Sequence, residues 1–453
     1  MFGLRTLVAS LLSLAAAIHA KSSTGDSVLV VLEPSLKRDD FSIFFDDLEG
    51  QGYNLTFRAP KDASPAIIED GVPSFSHIIL FSPETKAYAP DITPQALVSL
   101  LEQGVNILFT LGSKQTPLSS LATEFSLILP PPGTPLLSHF PARSEPASVI
   151  PIPVPPSTSV SPIFTKSLAP VWFSGVPFAL GNNPLLVPLL RAPAESFAAD
   201  STGDGGADAL VDASEKGGEG LWAGSQLSVA TGFQVRGGAR AAWVGGVQLF
   251  SDEYIQKAPI GANPTGGAKS GNLQFIKDLV SWTFQESLVL RIDNTTHHRV
   301  DETAPRDHYT IYNEITYTAH ISKYNPSTSS WEPYSGITDL QLEFTMLDPH
   351  IRTSLPPVPG KAGEYSVTFR APDRHGVFKF VVDYKRKGWT HLHSDTVVPV
   401  VPPRHDEYPR FLSAAWPYYA GAISTSAGFV LFSAFWLAGD DRDSRKKKTS
   451  KVE

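Results

Sequence analysis

Short hydrophobic runs alternate with amphipathic stretches over the first 287 residues of the chain. The predicted strands cover residues 28–33, 55–58, 77–82, 106–111, 171–180, 185–190 and 239–250, and the predicted helices cover residues 41–51, 93–103 and 273–286. Continuous apolar strands interleaved with helices are typical of a parallel sheet covered on both faces. We therefore predict an open, parallel α/β sheet of the flavodoxin-like or amidotransferase-like kind over residues 21–287.

Two segments interrupt this first domain. Prolines cluster over residues 130–162. Because proline cannot join a central ladder and also restricts the residue before it, we expect an extended, irregular crossing segment there. Residues 194–220 are rich in glycine, alanine and acidic residues, and we expect a mobile surface loop.

The hydrophobic period changes after residue 287. Polar and apolar residues alternate over 309–322, 339–347, 364–370, 377–384 and 395–401, and turn residues such as Asn325-Pro326 separate these runs. Successive alternating strands without helices between them indicate antiparallel sheets. We therefore predict an antiparallel β-sandwich over residues 288–403.

Both ends of the chain carry membrane-targeting patterns. Residues 1–20 combine Arg5, a short apolar run and the small residue Ala20, which is typical of a secretory signal peptide; an uncleaved anchor helix is the alternative. No charge occurs between Arg410 and Asp440, and about 20 apolar residues suffice to span a bilayer. We predict a juxtamembrane segment at 404–417, one transmembrane helix at 418–437 and a tail at 438–453.

The tail sets the expected orientation. It carries Lys446, Lys447, Lys448 and Lys451, and positive charge stays on the cytoplasmic side. We predict a single-pass type I protein whose body has been translocated.

Small residues follow one flank of the predicted membrane helix. Ala420, Ser424 and Gly428 recur every four positions, and Gly421 and Thr425 lie beside them. Such a flank allows another helix backbone to approach closely, so we expect a helix-packing face; a plain anchor with incidental small residues is the alternative.

Composition excludes several classes of function. The chain has 453 residues, a net charge of −8 and no cysteine. The length suits two or three domains, and the negative balance gives no electrostatic footprint for nucleic acid. The absence of cysteine removes disulfides, thiolate nucleophiles and iron–sulfur sites, including the cysteine chemistry of amidotransferases.

The search for catalytic motifs finds no strong candidate. A phosphate-binding loop, a dinucleotide fingerprint and a nucleophile elbow are all absent. Ser113 follows a predicted strand, where ligands of such sheets bind, but a turn that caps a helix explains it better. The carboxylate pairs Asp39-Asp40 and Asp46-Asp47 fit the solvated face of a helix.

Histidine clusters give the only candidates for a metal site. His391 and His393 are two residues apart, so on a strand they face the same side. The pair His297-His298 and the cluster His405-Asp406-Glu407 are further candidates. No third ligand at a fitting spacing accompanies any of them, and exposed surface residues explain them. We expect no metal, no cofactor and no catalytic residue in this chain.

Two sequons mark candidate glycosylation sites. Asn54-Leu55-Thr56 and Asn294-Thr295-Thr296 both match the acceptor pattern. Asn54 precedes a predicted strand. Asn294 is expected in a loop between the two domains, so it is the better candidate.

Several stretches resemble one known family. The segment 404–412, Arg-His-Asp-Glu-Tyr-Pro-Arg-Phe-Leu, continues through Trp416-Pro417-Tyr418-Tyr419-Ala420-Gly421-Ala422, and further matching stretches lie at 44–58, 249–253, 340–352 and 376–385. Together they resemble the non-catalytic, 48 kDa, wheat-germ-agglutinin-binding subunit of the endoplasmic reticulum oligosaccharyltransferase, the dolichyl-diphosphooligosaccharide–protein glycosyltransferase. The segments 130–161 and 194–220 do not resemble the family.

The resemblance implies an accessory subunit of the complex that transfers an oligosaccharide from dolichyl diphosphate to Asn in N-x-S/T sequons. The implied partners are the catalytic multispanning subunit, ribophorin-like subunits and small membrane subunits, and the implied location is the endoplasmic reticulum membrane with the body in the lumen. A lumenal hydrolase and an adhesion receptor remain as alternatives. One departure concerns retrieval: Lys451 stands third from the end, but Ser450 and Thr449 occupy the positions where the family's dilysine signal needs a second lysine.

Overall fold

The computed structural model describes residues 21–154, 162–164, 168–199, 222–259, 269–408 and 412–449. The predicted signal peptide, most of the predicted mobile loop and Lys451 lie outside these residues. Residues 155–161 of the proline-rich segment also lie outside them.

The first domain combines fifteen strands with five α-helices among its described residues. The strands are β1 (Ser27–Leu32), β2 (Asn54–Arg58), β3 (Ile68–Glu69), β4 (Val72–Pro73), β5 (His77–Phe81), β6 (Asn106–Thr110), β7 (Leu127–Ile128), β8 (Leu136–Leu137), β9 (Ile150–Ile152), β10 (Val171–Phe173), β11 (Phe178–Leu180), β12 (Leu186–Arg191), β13 (Phe197–Ala198), β14 (Leu227–Gln234) and β15 (Arg240–Val244). The helices are α1 (Ser42–Gly50), α2 (Pro94–Glu102), α3 (Pro117–Glu124), α4 (Asp252–Gln256) and α5 (Asn272–Thr283), with 3₁₀ turns at Arg38–Phe41, Gly224–Gln226 and Val247–Phe250.

The main sheet is mixed rather than wholly parallel. Eight of its nine strands follow the order β2-β1-β5-β6-β15-β14-β11-β7, and the ninth, β12, pairs with β14. The first five strands of this order are parallel, as the sequence predicted. The other four are antiparallel, so the prediction of a parallel sheet is wrong for that half.

A short connection explains the antiparallel half. Only five residues separate β14 from β15, and the turn is closed by a hydrogen bond of 2.9 Å from the Val235 amide to the Ala239 carbonyl. A parallel neighbour would need a crossover of about a dozen residues or more. The hairpin therefore fixes β14 as antiparallel to the last parallel strand.

Both faces of the sheet are buried. The strand residues Val28–Val31 and Ile78–Phe81 are fully enclosed. One face packs under α1 and α5, where Phe44 lies 5.2 Å from Phe250 between ring centroids, and the other face packs under α2 and α3. This two-sided burial is the reason the strands read as unbroken apolar runs. Part of the proline-rich segment joins the core too, since Leu136, Ile150 and Ile152 are fully buried.

The second domain is built from strands alone among its described residues. They are β16 (Leu290–Arg299), β17 (Tyr309–Thr310), β18 (Glu314–Asn325), β19 (Ser330–Pro333), β20 (Gln341–Thr345), β21 (Pro349–Ser354), β22 (Glu364–Arg370), β23 (Gly376–Tyr384) and β24 (Leu392–Val401). Four form one sheet and five form a second, ordered β17-β24-β23-β20-β21. All pairs are antiparallel except β17 with β24, which is parallel.

The two sheets of the second domain share one core. Inward residues of both sheets belong to a single hydrophobic cluster, and the rings of Tyr317 on β18 and Phe380 on β23 stack at 5.2 Å. Alternate residues of each strand therefore face the shared core, as the period of two predicted.

One long helix follows the second domain. Helix α6 (Leu412–Thr449) contains an apolar segment of 26 residues, Ser413–Ala438, whose most apolar part is not buried against the rest of the described chain. Its length and composition suffice to cross a membrane. The predicted span of 418–437 lies inside this segment.

Candidate assembly surfaces and polar sites

The small residues of α6 form a face that has no neighbour in the described chain. A Cβ added at Gly421 or Gly428 would have no atom within 4 Å. The hydroxyls of Ser424 and Thr425 both donate to the Gly421 carbonyl, at 2.9 and 2.8 Å. These bonds satisfy the hydroxyls within the helix itself, so a neighbouring helix can approach without leaving an unpaired polar group.

Both predicted sequons lie on edge strands with the asparagine exposed. Asn54 begins β2, the last strand on one edge of the main sheet. Asn294 lies within β16, not in a loop as the sequence analysis expected. The pairing of β16 with β18 shifts register between Ile292 and Asn294. A bulge of this kind interrupts the alternation of side chains along the strand. The strand around Asn294 was therefore not recognisable from a period of two.

Ser113 lines an open cleft of about 300 Å³ after β6. The polar side chains that surround it are Lys114, Gln115, Ser119, Ser120 and Thr123, and Lys114 is paired with Glu84 at 2.5 Å. No histidine or carboxylate lines the cleft among the described residues, so none is placed to activate the hydroxyl. The helix cap next to it is Thr116, which shares a capping box with Ser119.

The two carboxylate pairs differ in their surroundings, and Asp46-Asp47 borders an open cleft with Lys277 and Glu286. Asp39 and Asp40 are exposed on the 3₁₀ turn before α1. Asp46 is exposed on α1, whereas Asp47 bonds Lys277 on α5 at 2.7 Å. Three of the four carboxylates are exposed, which fits the solvated face that the sequence analysis expected, whereas Asp47 ties α1 to α5.

The histidine candidates separate in the structure. His297 and His298 are adjacent on β16 and hence face opposite sides; His297 stacks on Phe380 at 4.9 Å, and burial lowers its pKa. His405 is exposed in the juxtamembrane segment. His391 and His393 do lie on one face, and the structure adds Asp383 of the paired strand β23 to them.

A buried arginine joins the two domains. Arg240, at the start of β15, is 0% exposed, and burial lowers its pKa to about 9, so it stays charged at neutral pH. Its guanidinium donates to the carbonyls of Trp282 (2.7 Å), Ser287 (2.7 Å) and Leu288 (2.9 Å). A further bond of 3.2 Å reaches the Thr390 hydroxyl in the second domain.

Further contacts strengthen this junction. The Trp282 indole donates to the Gly388 carbonyl at 2.8 Å, and the Gln234 amide donates to the Trp389 carbonyl. Trp389 packs against the cores of both domains, and the Tyr324 hydroxyl reaches the Ser22 carbonyl at 3.1 Å. The two domains are thus held in one arrangement by buried contacts.

A second buried polar cluster lies at the amino ends of two neighbouring strands. His77 begins β5, Asn106 begins β6, and the two residues are paired in register. The His77 ring contacts the Gly25 carbonyl at 3.0 Å and Asn106 Nδ2 at 3.2 Å, and it stacks on Phe284 at 4.2 Å. Burial lowers the pKa of His77 to about 3, so the ring is neutral.

A third buried contact ties the turn after α1 to the end of the domain. The Tyr53 hydroxyl donates to Glu286 Oε1 at 2.6 Å. Burial raises the pKa of both groups, so each is held nearer its protonated form.

Sequence reasoning missed these buried groups. Weak signals for them exist, because Arg240, His77 and Asn106 each stand immediately before an unbroken apolar strand. Asp383 could not be found from spacing, since it meets the histidines only through the pairing of β23 with β24.

Family models match both domains of the chain. Residues 19–286 match the N-terminal domain of OST48, and residues 297–440 match the OST48 middle domain. Among solved structures, a putative ThuA-like protein from Parabacteroides merdae is 10% identical over 62% of this chain and 93% of its own, with a TM-score of 0.31. A Niemann–Pick type C2 protein from the Japanese carpenter ant is 9% identical over 25% of this chain and 93% of its own, with a TM-score of 0.18. Neither TM-score is high enough to indicate a shared fold.

Curated relatives match along almost the whole length. The chain is 32% identical to a protein of Caenorhabditis elegans (96% of this chain, 98% of the relative), 32% to one of Danio rerio (94% and 95%) and 30% to one of Arabidopsis thaliana (91% and 93%). Each is named as the 48 kDa subunit of dolichyl-diphosphooligosaccharide–protein glycosyltransferase. With both domains and the membrane helix covered, this chain belongs to the OST48 family.

Proposed function

We propose that this protein is an accessory subunit of the oligosaccharyltransferase complex, which transfers an oligosaccharide from dolichyl diphosphate to asparagine in protein N-glycosylation. The observation that carries the proposal is the match of both domains to OST48 models, with 32% identity over 96% of the chain. The relatives' names describe a subunit, and the partners we propose are the multispanning catalytic subunit and other membrane subunits.

The body of the protein lies in the lumen of the endoplasmic reticulum in this proposal. The signal-like residues 1–20, the apolar segment Ser413–Ala438 and the basic residues that follow it support a type I orientation. The exposed sequons at Asn54 and Asn294 are accessible to glycosylation in that compartment.

The subunit itself performs no chemistry in this proposal. The cleft at Ser113 has no histidine or carboxylate among its described lining residues, and the ion pair with Glu84 raises the pKa of Lys114 and favours its protonated form. The buried groups Arg240 and His77 are occupied by internal hydrogen bonds. These features support a structural role: a body of two firmly joined domains that supports its partners in the lumen.

The docking element we propose is the small-residue face of α6. Its five members are Ala420, Gly421, Ser424, Thr425 and Gly428. Packing between helices in a membrane depends on close approach, because lipid supplies no hydrophobic driving force. A helix of the catalytic subunit would lie against this face.

We also infer that the first domain descends from a flavodoxin-like or amidotransferase-like sheet. Its five parallel strands are ordered β2-β1-β5-β6-β15, which in chain order is the pattern 2-1-3-4-5 of that class. Ser113 follows β6 at the carboxyl end of the sheet, where the ligand sites of this class lie.

The test is purification and complementation of the whole chain. Cells depleted of their own copy receive the tagged protein, and membranes are solubilised in a mild detergent. We expect stoichiometric recovery of the multispanning transferase and restored glycosylation of a reporter protein. Recovery of the protein alone, together with normal glycosylation in depleted cells, would contradict the proposal.

Two variants distinguish the enzyme hypothesis. Ser113→Ala and the double change of Asp39 and Asp40 to Ala leave assembly and glycosylation unchanged if the subunit is structural. Loss of glycosylation with intact assembly would instead favour a catalytic role for these residues.

A further inference from the structure

Two histidines and one aspartate converge on the outer face of the hairpin formed by β23 and β24. Asp383 lies directly opposite His393 in the antiparallel register, and His391 is two residues before His393 on the same face. One ligand atom from each of the three side chains lies within 4.8 Å of the others. The sequence spacing alone gave only the two histidines.

The polar atoms of this cluster are only partly satisfied. His391 Nε2 lies 2.5 Å from Asp383 Oδ1, while His391 Nδ1 is buried and has no hydrogen-bond partner among the described residues. The other carboxylate oxygen, Asp383 Oδ2, accepts a bond of 2.6 Å from Lys385 Nζ. The lysine therefore contacts one carboxylate oxygen, and the other, Oδ1, faces the His391 ring.

The backbone beneath the cluster is firmly held. Thr390, the neighbour of His391, bonds the buried Arg240 at 3.2 Å and donates its amide to the Leu288 carbonyl at 3.2 Å. The side chain of His391 is 12% exposed, whereas Asp383 and His393 are open to solvent. An ion can therefore enter the site from solvent. The inner ligand, His391, already has a fixed position.

We propose that Asp383, His391 and His393 form a binding site for a divalent transition-metal ion, with zinc as the best fit. Imidazole nitrogen and carboxylate oxygen are common zinc ligands, and zinc bound by three side chains keeps a fourth position for water or another group. Calcium and magnesium prefer sites made only of oxygen. The proposal revises the expectation of no metal that the sequence spacing suggested.

The geometry requires only small side-chain movements. Zinc bonds of about 2.0–2.2 Å place tetrahedral ligands roughly 3.4 Å apart, compared with the present limit of 4.8 Å. His393 is exposed and can rotate towards the other two. Zinc bound here would fix the base of the hairpin whose loop, through Gly388, Trp389 and Thr390, contacts the first domain.

The site is independent of the proposed function, because assembly through α6 needs no metal. The experiment uses the full-length protein in detergent, purified with a tag that lacks histidine and freed of metal by a chelator. Cobalt(II), a spectroscopic probe for zinc sites, is titrated in and its visible absorption is recorded. We expect saturation at one equivalent, displacement by zinc, and a zinc-dependent rise in the unfolding temperature.

Three variants decide the outcome. His393→Ala removes an exposed ligand without disturbing the core, and we expect it to weaken cobalt binding at least tenfold while the metal-free unfolding temperature stays at the wild-type value. Asp383→Asn should weaken binding similarly. His375→Ala, an exposed histidine near the opposite end of β23, is the matched control and should bind as the wild type does. Absence of saturable binding, or equal binding by the wild type and His393→Ala, shows that the cluster is only a hydrogen-bonded ion pair and overturns the proposal.

Discussion

Buried polar side chains distinguish this molecule at the scale of single residues. His77 and Arg240 are both 0% exposed, although their charged forms are costly to remove from water. Each is retained with hydrogen bonds to backbone carbonyls. The two differ in charge state, because burial keeps the imidazole neutral whereas the guanidinium remains protonated.

The titration of His77 makes stability depend on pH. The unfolded chain binds a proton at His77 below about pH 6.5, whereas the folded chain does so only below about pH 3. Acidification between these values therefore favours unfolding, by about 1.4 kcal/mol per pH unit well below 6.5. Replacement by glutamine, His77→Gln, should flatten the pH dependence of the unfolding free energy, measured by denaturant titration.

The matched control for this measurement is His375→Gln at an exposed position. It should keep the wild-type slope. Because slopes are compared between variants, the contribution of other groups such as Glu286 cancels. Equal slopes for the wild type and His77→Gln would contradict the assignment.

The sequons give a second prediction at this scale. Asn294 and Asn54 are exposed, and we expect the change of Asn294 to Gln to remove one glycan, seen as faster migration that glycosidase treatment of the wild type reproduces. Asn183→Gln is the control, because Leu185 stands where an acceptor sequon needs Ser or Thr. Unchanged migration of both Asn294→Gln and Asn54→Gln would argue against a lumenal body.

At the scale of elements, α6 is long and apolar enough to span a membrane. The small residues leave a shallow flank on an otherwise bulky helix, and a leucine there would keep the helix apolar but block close approach. We expect Gly428→Leu to preserve membrane insertion and to reduce recovery of the catalytic subunit by about threefold or more, which corresponds to roughly 0.6 kcal/mol or more of helix packing. Quantitative mass spectrometry of the purified complex measures the ratio.

Val430→Leu is the matched control for the helix. At 100° per residue it lies on the flank opposite the small residues, so its leucine should leave recovery unchanged. Equal losses in both variants would indicate a general effect on the helix rather than a packing face.

Individual elements differ in how well their patterns predict them. Strand β22 (Glu364–Arg370) has the predicted bounds, and β1, β5 and α5 differ from prediction by a few residues, because each has a single clear period. Strand β14 and helix α3 were not predicted. Gly232 lies within β14, and a Cβ there would come within 2.5 Å of the Trp282 ring, so that glycine reflects close packing rather than a turn.

At the scale of the whole molecule, the buried junction makes the two domains one body. Removal of the Arg240 side chain would take a charged donor from three carbonyls, those of Trp282, Ser287 and Leu288. The Ser287 carbonyl would keep no other donor among the described residues, whereas the other two retain weaker bonds of 3.2 Å from backbone amides. We expect Arg240→Ala to lower the free energy of unfolding by about 3 kcal/mol or more. We also expect it to increase protease cleavage near residue 288, where the domains meet.

Arg236→Ala, in the exposed turn four residues earlier, is the control and should change stability by less than about 0.5 kcal/mol. Unfolding is followed by denaturant titration and cleavage by limited proteolysis. A wild-type protease pattern in Arg240→Ala would show that the junction depends on other contacts.

Local patterns in the sequence determined the class of each segment. The period of the apolar residues separated an α/β region from a region of antiparallel strands, and the uncharged stretch before Asp440 located the helix long enough to span a membrane. These properties depend on residues close together in the chain, so one sequence suffices to predict them. Several stretches of the sequence likewise showed the resemblance to a known family, and the family is confirmed.

The tertiary structure decided what distant residues do together. Pairing order made the main sheet mixed, the strand register brought Asp383 to His391 and His393, and packing of the two domains enclosed Arg240. Each depends on contacts between residues far apart in sequence, whose partners are set by the burial of whole faces rather than by local propensity. For that physical reason the junction, and the aspartate that completes the candidate metal site, could be found only in the folded molecule.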